Sequence, residues 1–390
     1  MALLLAALAG TALGLLTGLV PGLHANLFAA LAVSQQAFLA ETGLSPGVAV
    51  FLLSLAVSQS CADIIPSMLL AVDEEGAVSA FPAQKLAERG FALEAVRLWL
   101  QGSVAGLLLA ALASRVLLVA LPLLMARISP YKGWILLALC AKLLDGRDVR
   151  GTIRNVSIFL LAGCLGIIAF TQPGLKEPVF PLMSGLFGCA SLLLQGAEGL
   201  PRQQSRSIIS LSLSEWGRIL SGATLSSLVL ALLPGVGRSQ AAALSLALSR
   251  FSSTASIALV GAVATMSLGV SVLSLVSLGK ARDGAVIAAG AMVQPDSSLL
   301  GWMLLSAALA SLAVLLFAWR ALPVLERIPR RGMSLAVLAL VSALVGALCG
   351  WQGLPLLLAA SALGVLCVKA GVKRRMLLGC LLLPVLLYSL

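Results

Sequence analysis

Charge-free apolar runs of about 18 residues or more recur along this chain, each long enough to cross a hydrocarbon core of about 30 Å as a helix. A bilayer supplies no water to open backbone groups, so the crossing segments must be helical. Composition agrees: of 390 residues, 60% are hydrophobic and 11% charged, whereas a soluble domain carries about 25% charged residues. The chain therefore reads as an all-α integral membrane protein with about 10–14 transmembrane or re-entrant helices, multi-pass in a cell (plasma or inner) membrane. The first run begins at Ala2 with no Lys or Arg ahead of it. It lacks the basic region of a cleaved signal and is expected to be retained.

The formal net charge of +11 does not point to nucleic acid. Basic residues cluster in short loops between apolar runs, as in Arg147/Arg150/Arg154 and Lys369/Lys373/Arg374/Arg375. Loop charge of that kind orients spans in a membrane. The seven cysteines sit in or beside apolar runs, with no Cys-x-x-Cys spacing and one His in the chain. A disulfide framework or a zinc site is not expected. With no His-Glu-x-x-His and no Walker loop, an enzyme is not expected either, and no cofactor is expected.

Apolar segments fall near 2–20, 21–39, 47–72, 98–126, 133–144, 155–171 and 179–196, then 219–233, 234–249, 254–279, 297–319, 332–350, 353–368 and 376–390. A polar stretch at 201–218 divides the chain into a first transmembrane repeat, 1–200, and a second, 219–390. Leu19-Val20-Pro21-Gly22-Leu23 answers to Leu232-Leu233-Pro234-Gly235-Val236, and Ala120-Leu121-Pro122 to Ala321-Leu322-Pro323. Two landmarks in the same order, with a loop-sized change of spacing, suit the internal repeats of secondary transporters. Inverted repeats are expected if residues 133–144 cross the membrane, and parallel ones if they do not; the length of 332–350 favours inversion.

Function is sought where polar groups and helix breakers interrupt apolar runs, because each costs free energy there. Pro21, Gly22, His24 and Asn26 form one such place; Pro234, Gly235, Gly237, Arg238, Ser239 and Gln240 form its counterpart. Proline suits the first turn of a helix, so each Pro-Gly reads as a tip at which a helix restarts. A helix starting within the membrane presents unpaired N–H groups and a positive dipole end, an anion site that Arg238 would reinforce. A tight loop between two full spans at the surface is the plainer alternative. Asp63, with Ser60 beside it, lies within an apolar run and is expected to couple an ion or pair with Arg238 or Arg115, unless Pro66 breaks the run and leaves Asp63 as a cap. Arg115 either snorkels or takes part in function.

At these residues the chain resembles the large permease subunit of the tripartite tricarboxylate transporter family. The resemblance rests on Gly18-Leu19-Val20-Pro21-Gly22 and Leu233-Pro234-Gly235-Val236-Gly237. It is supported by Ile64-Ile65-Pro66-Ser67, by Ala83 to Gly90, and by Gly185-Leu186-Phe187-Gly188. The short chain is similar to a divergent, archaeal-type branch. The resemblance implies an ion-driven secondary carrier that takes carboxylates from an extracytoplasmic binding protein with help from a small membrane subunit. A permease of an organic anion, expected to be a carboxylate, coupled to H+ or Na+, is thus the leading expectation. A carrier or flippase for a lipid-linked phosphate and a non-transporting membrane scaffold are the alternatives.

Overall fold

The computed structural model describes residues 1–20, 24–70, 80–131, 133–135, 137–138, 144, 148–175, 177–194, 201–204, 209–233, 237–249, 251–325 and 330–389. Among them there is no strand. The first half contains α1 (Ala2–Leu19), α2 (Ala25–Ser34), α3 (Gln36–Glu41), α4 (Ser45–Ala62), α5 (Ile64–Leu70) and α6 (Ala80–Ala87). It continues with α7 (Ala92–Leu112), α8 (Ser114–Ile128), α9 (Val149–Thr171), and α10 (Val179–Met183) joined by a π-turn to α11 (Ala190–Leu194). The second half contains α12 (Leu213–Leu232), α13 (Arg238–Leu248), α14 (Ser253–Leu278), α15 (Gly284–Met292) and α16 (Leu299–Leu325). It ends with α17 (Arg330–Cys349), α18 (Gly353–Lys369) and α19 (Gly379–Ser389).

Seven described helical segments are long and apolar enough to cross a membrane: Ala2–Leu19, Ser45–Leu69, Ala92–Leu112, Ser114–Tyr131, Val149–Thr171, Ser253–Leu278 and Leu299–Val324. Shorter apolar helices stand at Ala25–Ser34, Val179–Leu194, Ser334–Cys349 and Gly353–Lys369. The protein is an all-α, multi-pass membrane protein. Two spans form its centre: 78% of the most apolar window of Ser45–Leu69 and 83% of that of Ser253–Leu278 are buried, against 33% for α1.

Small residues let the central helices approach closely, as packing within a bilayer requires. Gly10, Gly14 and Gly18 of α1 face the α4 backbone at Phe51, Leu55 and Gln59 in turn, so α1 and α4 run parallel. Gly102 and Gly106 of α7 face Ala258 and Ala262 of α14, so these two are parallel as well. Side chains on α12 meet α14 in ascending order, Gly222 beside Leu259 and Thr224 beside Met266. α2 returns antiparallel to α4, and α15 runs alongside α2, with Gly284 against Asn26 and Ala291 accepting a bond from Gln36.

The halves exchange partners. α7 of the first packs on α14 of the second, and α16 of the second packs on α4 of the first. Farther along, α9 packs on α19 and α18 on the π-turn of the first half. The early helices of both halves share one large apolar cluster, while α9–α11, α18 and α19 supply most of another.

Several expectations shift. The run 98–126 is two helices, divided at Ala113. The polar stretch 201–218 ends in a helix start, because Ser212 and Glu215 form a capping box for α12. Its earlier part is strapped to α7: Gln203 accepts from the Ala92 amide at 2.9 Å, and Glu94 accepts from the Ile209 amide at 3.1 Å. Half of residues 133–144 lie outside the described residues, as do Pro21, Gly22, Pro234 and Gly235.

Candidate functional site

α1 ends at Leu19, and Val20 leaves it in an extended conformation. α12 ends at Leu232, and Leu233 leaves it the same way. Beyond each break a new helix starts, α2 with His24 as its extended N-cap residue and α13 at Arg238. A fresh helix start carries amides with no partner inside the helix. In the first half the Gln59 side chain of α4 meets that need: its Oε1 accepts from the Ala25 amide at 2.7 Å.

In the second half the solution is charged. Arg238 Nη2 donates to Asp283 Oδ2 at 3.0 Å, and Asp283 Oδ1 accepts from the Ala285 amide at 3.0 Å, capping α15. The loop carrying Asp283 is held by serines of α14: Ser271 accepts from the Arg282 amide at 3.3 Å, and Ser274 donates to the Lys280 carbonyl at 2.8 Å.

These parts enclose a cleft of about 190 Å³. Asn26 enters it from α2, Gly237 and Arg238 from the start of α13, and Arg282, Asp283 and Gly284 from the start of α15. Ser267, Ser271 and Ser274 line it from α14. Gly284 is required by close approach, since a Cβ there would stand 2.5 Å from Asn26 Oδ1. Three helix N-termini thus converge, each favouring an anion by about 0.3–1 kcal/mol when exposed and up to about 2 kcal/mol when partly buried. Among the described residues lining the cleft, Arg238, Arg282 and Asp283 leave one net positive charge. The arrangement can bind a small anion through amides, hydroxyls and a guanidinium.

Of the residues singled out from sequence, Asn26, Gly237 and Arg238 are brought together although they come from different halves. Ser239 and Gln240 follow in the first turn of α13. His24, Ser60 and Asp63 are not among the described residues that line the cleft. Asp63 is exposed at the junction of α4 and α5, the capping position that its neighbour Pro66 left open. Ser60 is buried and donates to the Ala56 carbonyl at 2.9 Å, while its own carbonyl accepts from Trp99 Nε1 at 3.1 Å. Arg115 is exposed in the first turn of α8.

Sequence reading passed over Arg282, Asp283 and Gly284. One signal was there: an Asp followed by an apolar run is a helix start, even with no Pro-Gly to announce it.

The model of the tripartite tricarboxylate transporter TctA family matches residues 4–379. Over 187 residues the chain is 29% identical to an uncharacterized protein, MJ1079, of Methanocaldococcus jannaschii, a match covering 47% of this chain and 46% of that protein. The chain thus spans about half the length of that curated relative. No solved structure matches it. With the family match running through both helix breaks and nearly end to end, the chain belongs to the tripartite tricarboxylate transporter TctA family, a family of membrane transporters.

Proposed function

We propose that this protein is a secondary active permease that binds a small organic anion, a carboxylate, in the cleft between α2, α13 and α15, and moves it with H+ or Na+. The observation that carries this reading is the convergence of three helix starts and two arginines, drawn from both halves of the chain, on one polar cleft. Such a set of amides, hydroxyls and guanidinium groups suits a small oxyanion, and the family's description supports a carboxylate as that anion.

Residues 1–200 and 219–390 are proposed as two repeats of inverted orientation. Reciprocal packing of α7 on α14 and of α16 on α4 supports the pairing. Helix direction supports the inversion: α15 is antiparallel to α4 yet follows α14 in register, Arg282 meeting Ser271 and Gly290 meeting Leu275. Corresponding helices α4 and α14 then point opposite ways, whatever residues 133–144 do. Asp63, exposed where α4 gives way to α5, is proposed as the ion-coupling carboxylate, with Ser60 one turn away. The family's tripartite organisation supports a small membrane subunit and an extracytoplasmic binding protein as partners.

The test is uptake of labelled mono-, di- and tricarboxylates by the purified chain in proteoliposomes, under imposed pH or Na+ gradients. Gradient-dependent accumulation that is lost in Arg238→Gln is the expected outcome. Failure of every carboxylate under both gradients, with exchange of a polyprenyl phosphate instead, would replace the substrate assignment.

A further inference from the structure

The three charged side chains among the described residues lining the cleft are not equivalent. Arg238 is committed: its Nη2 donates to Asp283 Oδ2 at 3.0 Å, with the two side chains 31% and 15% exposed. Arg282 adjoins Asp283 in the chain, yet among the described residues its guanidinium has no hydrogen-bond or ion-pair partner. Only its backbone amide is tied, donating to Ser271 at 3.3 Å. The residue is exposed, so a ligand entering the cleft can reach it. A guanidinium offers two parallel N–H donors to one carboxylate. The cleft therefore holds one open carboxylate receptor and one unbalanced positive charge.

Hydroxyl protons decide what the α14 wall can do. A carbonyl oxygen only accepts, so Ser274, 2.8 Å from the Lys280 carbonyl, and Ser267, 3.2 Å from the Ala264 carbonyl, have each given their one proton to the backbone. What they have left for a ligand is lone pairs. A second carboxylate against this wall would be repelled, whereas a hydroxyl would find acceptors.

A second carboxylate would find a cation among these lining residues only at Arg238. Taking it would strand the partly buried Asp283 without a counter-charge. Two negative charges about 6 Å apart, at an effective dielectric constant of about 20, repel strongly enough to weaken binding by about 100-fold.

Granted the cleft as the carboxylate site proposed above, we infer that its substrate is a monocarboxylate whose neutral end donates a hydrogen bond, with Arg282 as the residue that receives the carboxylate. Arg238 and Asp283 offset each other and set the limit of one negative charge. Without Arg238 the substrate would meet an unopposed carboxylate.

The test is equilibrium binding of radiolabelled 4-hydroxybutanoate, succinate and propane-1,2,3-tricarboxylate to the full-length protein in detergent at neutral pH, where the carboxyls are ionised. The first two are of similar length and differ in whether the far end is a hydroxyl or a second carboxylate. 4-Hydroxybutanoate is expected to bind about 100-fold more tightly than succinate, and the tricarboxylate more weakly still. Succinate or the tricarboxylate binding as tightly as 4-hydroxybutanoate would overturn the monocarboxylate and leave the carboxylate reading standing. Binding of none of the three would remove that reading and the inference with it. Arg282→Gln should weaken 4-hydroxybutanoate by about tenfold, as for loss of a hydrogen bond to a charged group; an unchanged affinity would overturn Arg282 as the receptor. Asp283→Asn keeps a capping side chain for α15 and should raise succinate affinity about tenfold more than that of 4-hydroxybutanoate. A ratio that does not move would overturn the charge limit. Should Arg282→Gln fail to fold, the ligand series and Asp283→Asn still decide.

Discussion

Helices α4 and α14 sit at the centre of the protein and serve the two helix breaks in opposite ways. α4 stops at Asp63 and spends a neutral amide, Gln59, on the first amide of α2. α14 runs unbroken to a left-handed Gly279 and offers hydroxyls, Ser271 and Ser274, to the loop that follows it. Charge enters the second side from beyond the helix, through Arg238, Arg282 and Asp283. An N–H needs only an acceptor, and a buried amide supplies one at little electrostatic cost. A guanidinium within a bilayer needs a counter-charge, and an incoming anion can compete with that counter-charge. The first break is thus held by a neutral bond, and the second by an ion pair with which the proposed substrate would compete.

Arg238→Gln should break the contrast most severely. It removes the charge that distinguishes the second break, and initial uptake rates in proteoliposomes are expected to fall by about 100-fold, the scale of a lost charged hydrogen bond. Transport at the wild-type rate would remove the second break from the site. Gln59→Leu comes next and acts on stability: the Ala25 amide is left buried without its acceptor, at a cost of about 1–3 kcal/mol. A thermal unfolding midpoint lower than wild type, with substrate affinity retained, is the expected readout.

Asp283→Asn sharpens the comparison. Asparagine caps a helix about as well as aspartate, so α15 keeps its start while Arg238 loses its counter-charge. Anion affinity should rise by about fivefold, on the order of 1 kcal/mol, while turnover slows; an unchanged KM would mean that the substrate does not meet Arg238.

The smallest effect belongs to Glu215 at the start of α12. Hydrogen bonds from the Ser212 amide and hydroxyl hold its carboxyl below the ordinary glutamate range. A depressed pKa means that its stabilisation is complete above the ordinary carboxylate pKa and is lost as pH falls through the lowered folded value. Thermal midpoints measured from neutral pH down to about pH 3 should therefore fall slightly less in Glu215→Gln than in wild type.

Much of the site was legible where breakers stand in apolar runs. Leu19 to Asn26 and Leu233 to Arg238 announced two helix restarts, and the structure starts α2 and α13 there. The third start, α15, was missed because Asp283 and Gly284 resemble any polar loop between spans. Their meaning depends on Arg238, 45 residues away and opposite them in the fold. Asp63 was read in an apolar run that could hold it inside a span or break at Pro66. The local helix break settles its exposure, and no spacing rule foretold it.

Membrane residence, helix and the stopping points of helices at proline and glycine are local properties, so the sequence by itself determined them: run length is compared with bilayer thickness, and proline and glycine act on their own backbone. Which helix answers which was decided only by the tertiary structure. A helix start demands an acceptor or a counter-charge without naming it, and a stripe of small residues fits any other such stripe. Gln59 for Ala25, Asp283 for Arg238 and Ala258 for Gly102 are choices that only the packed bundle could make.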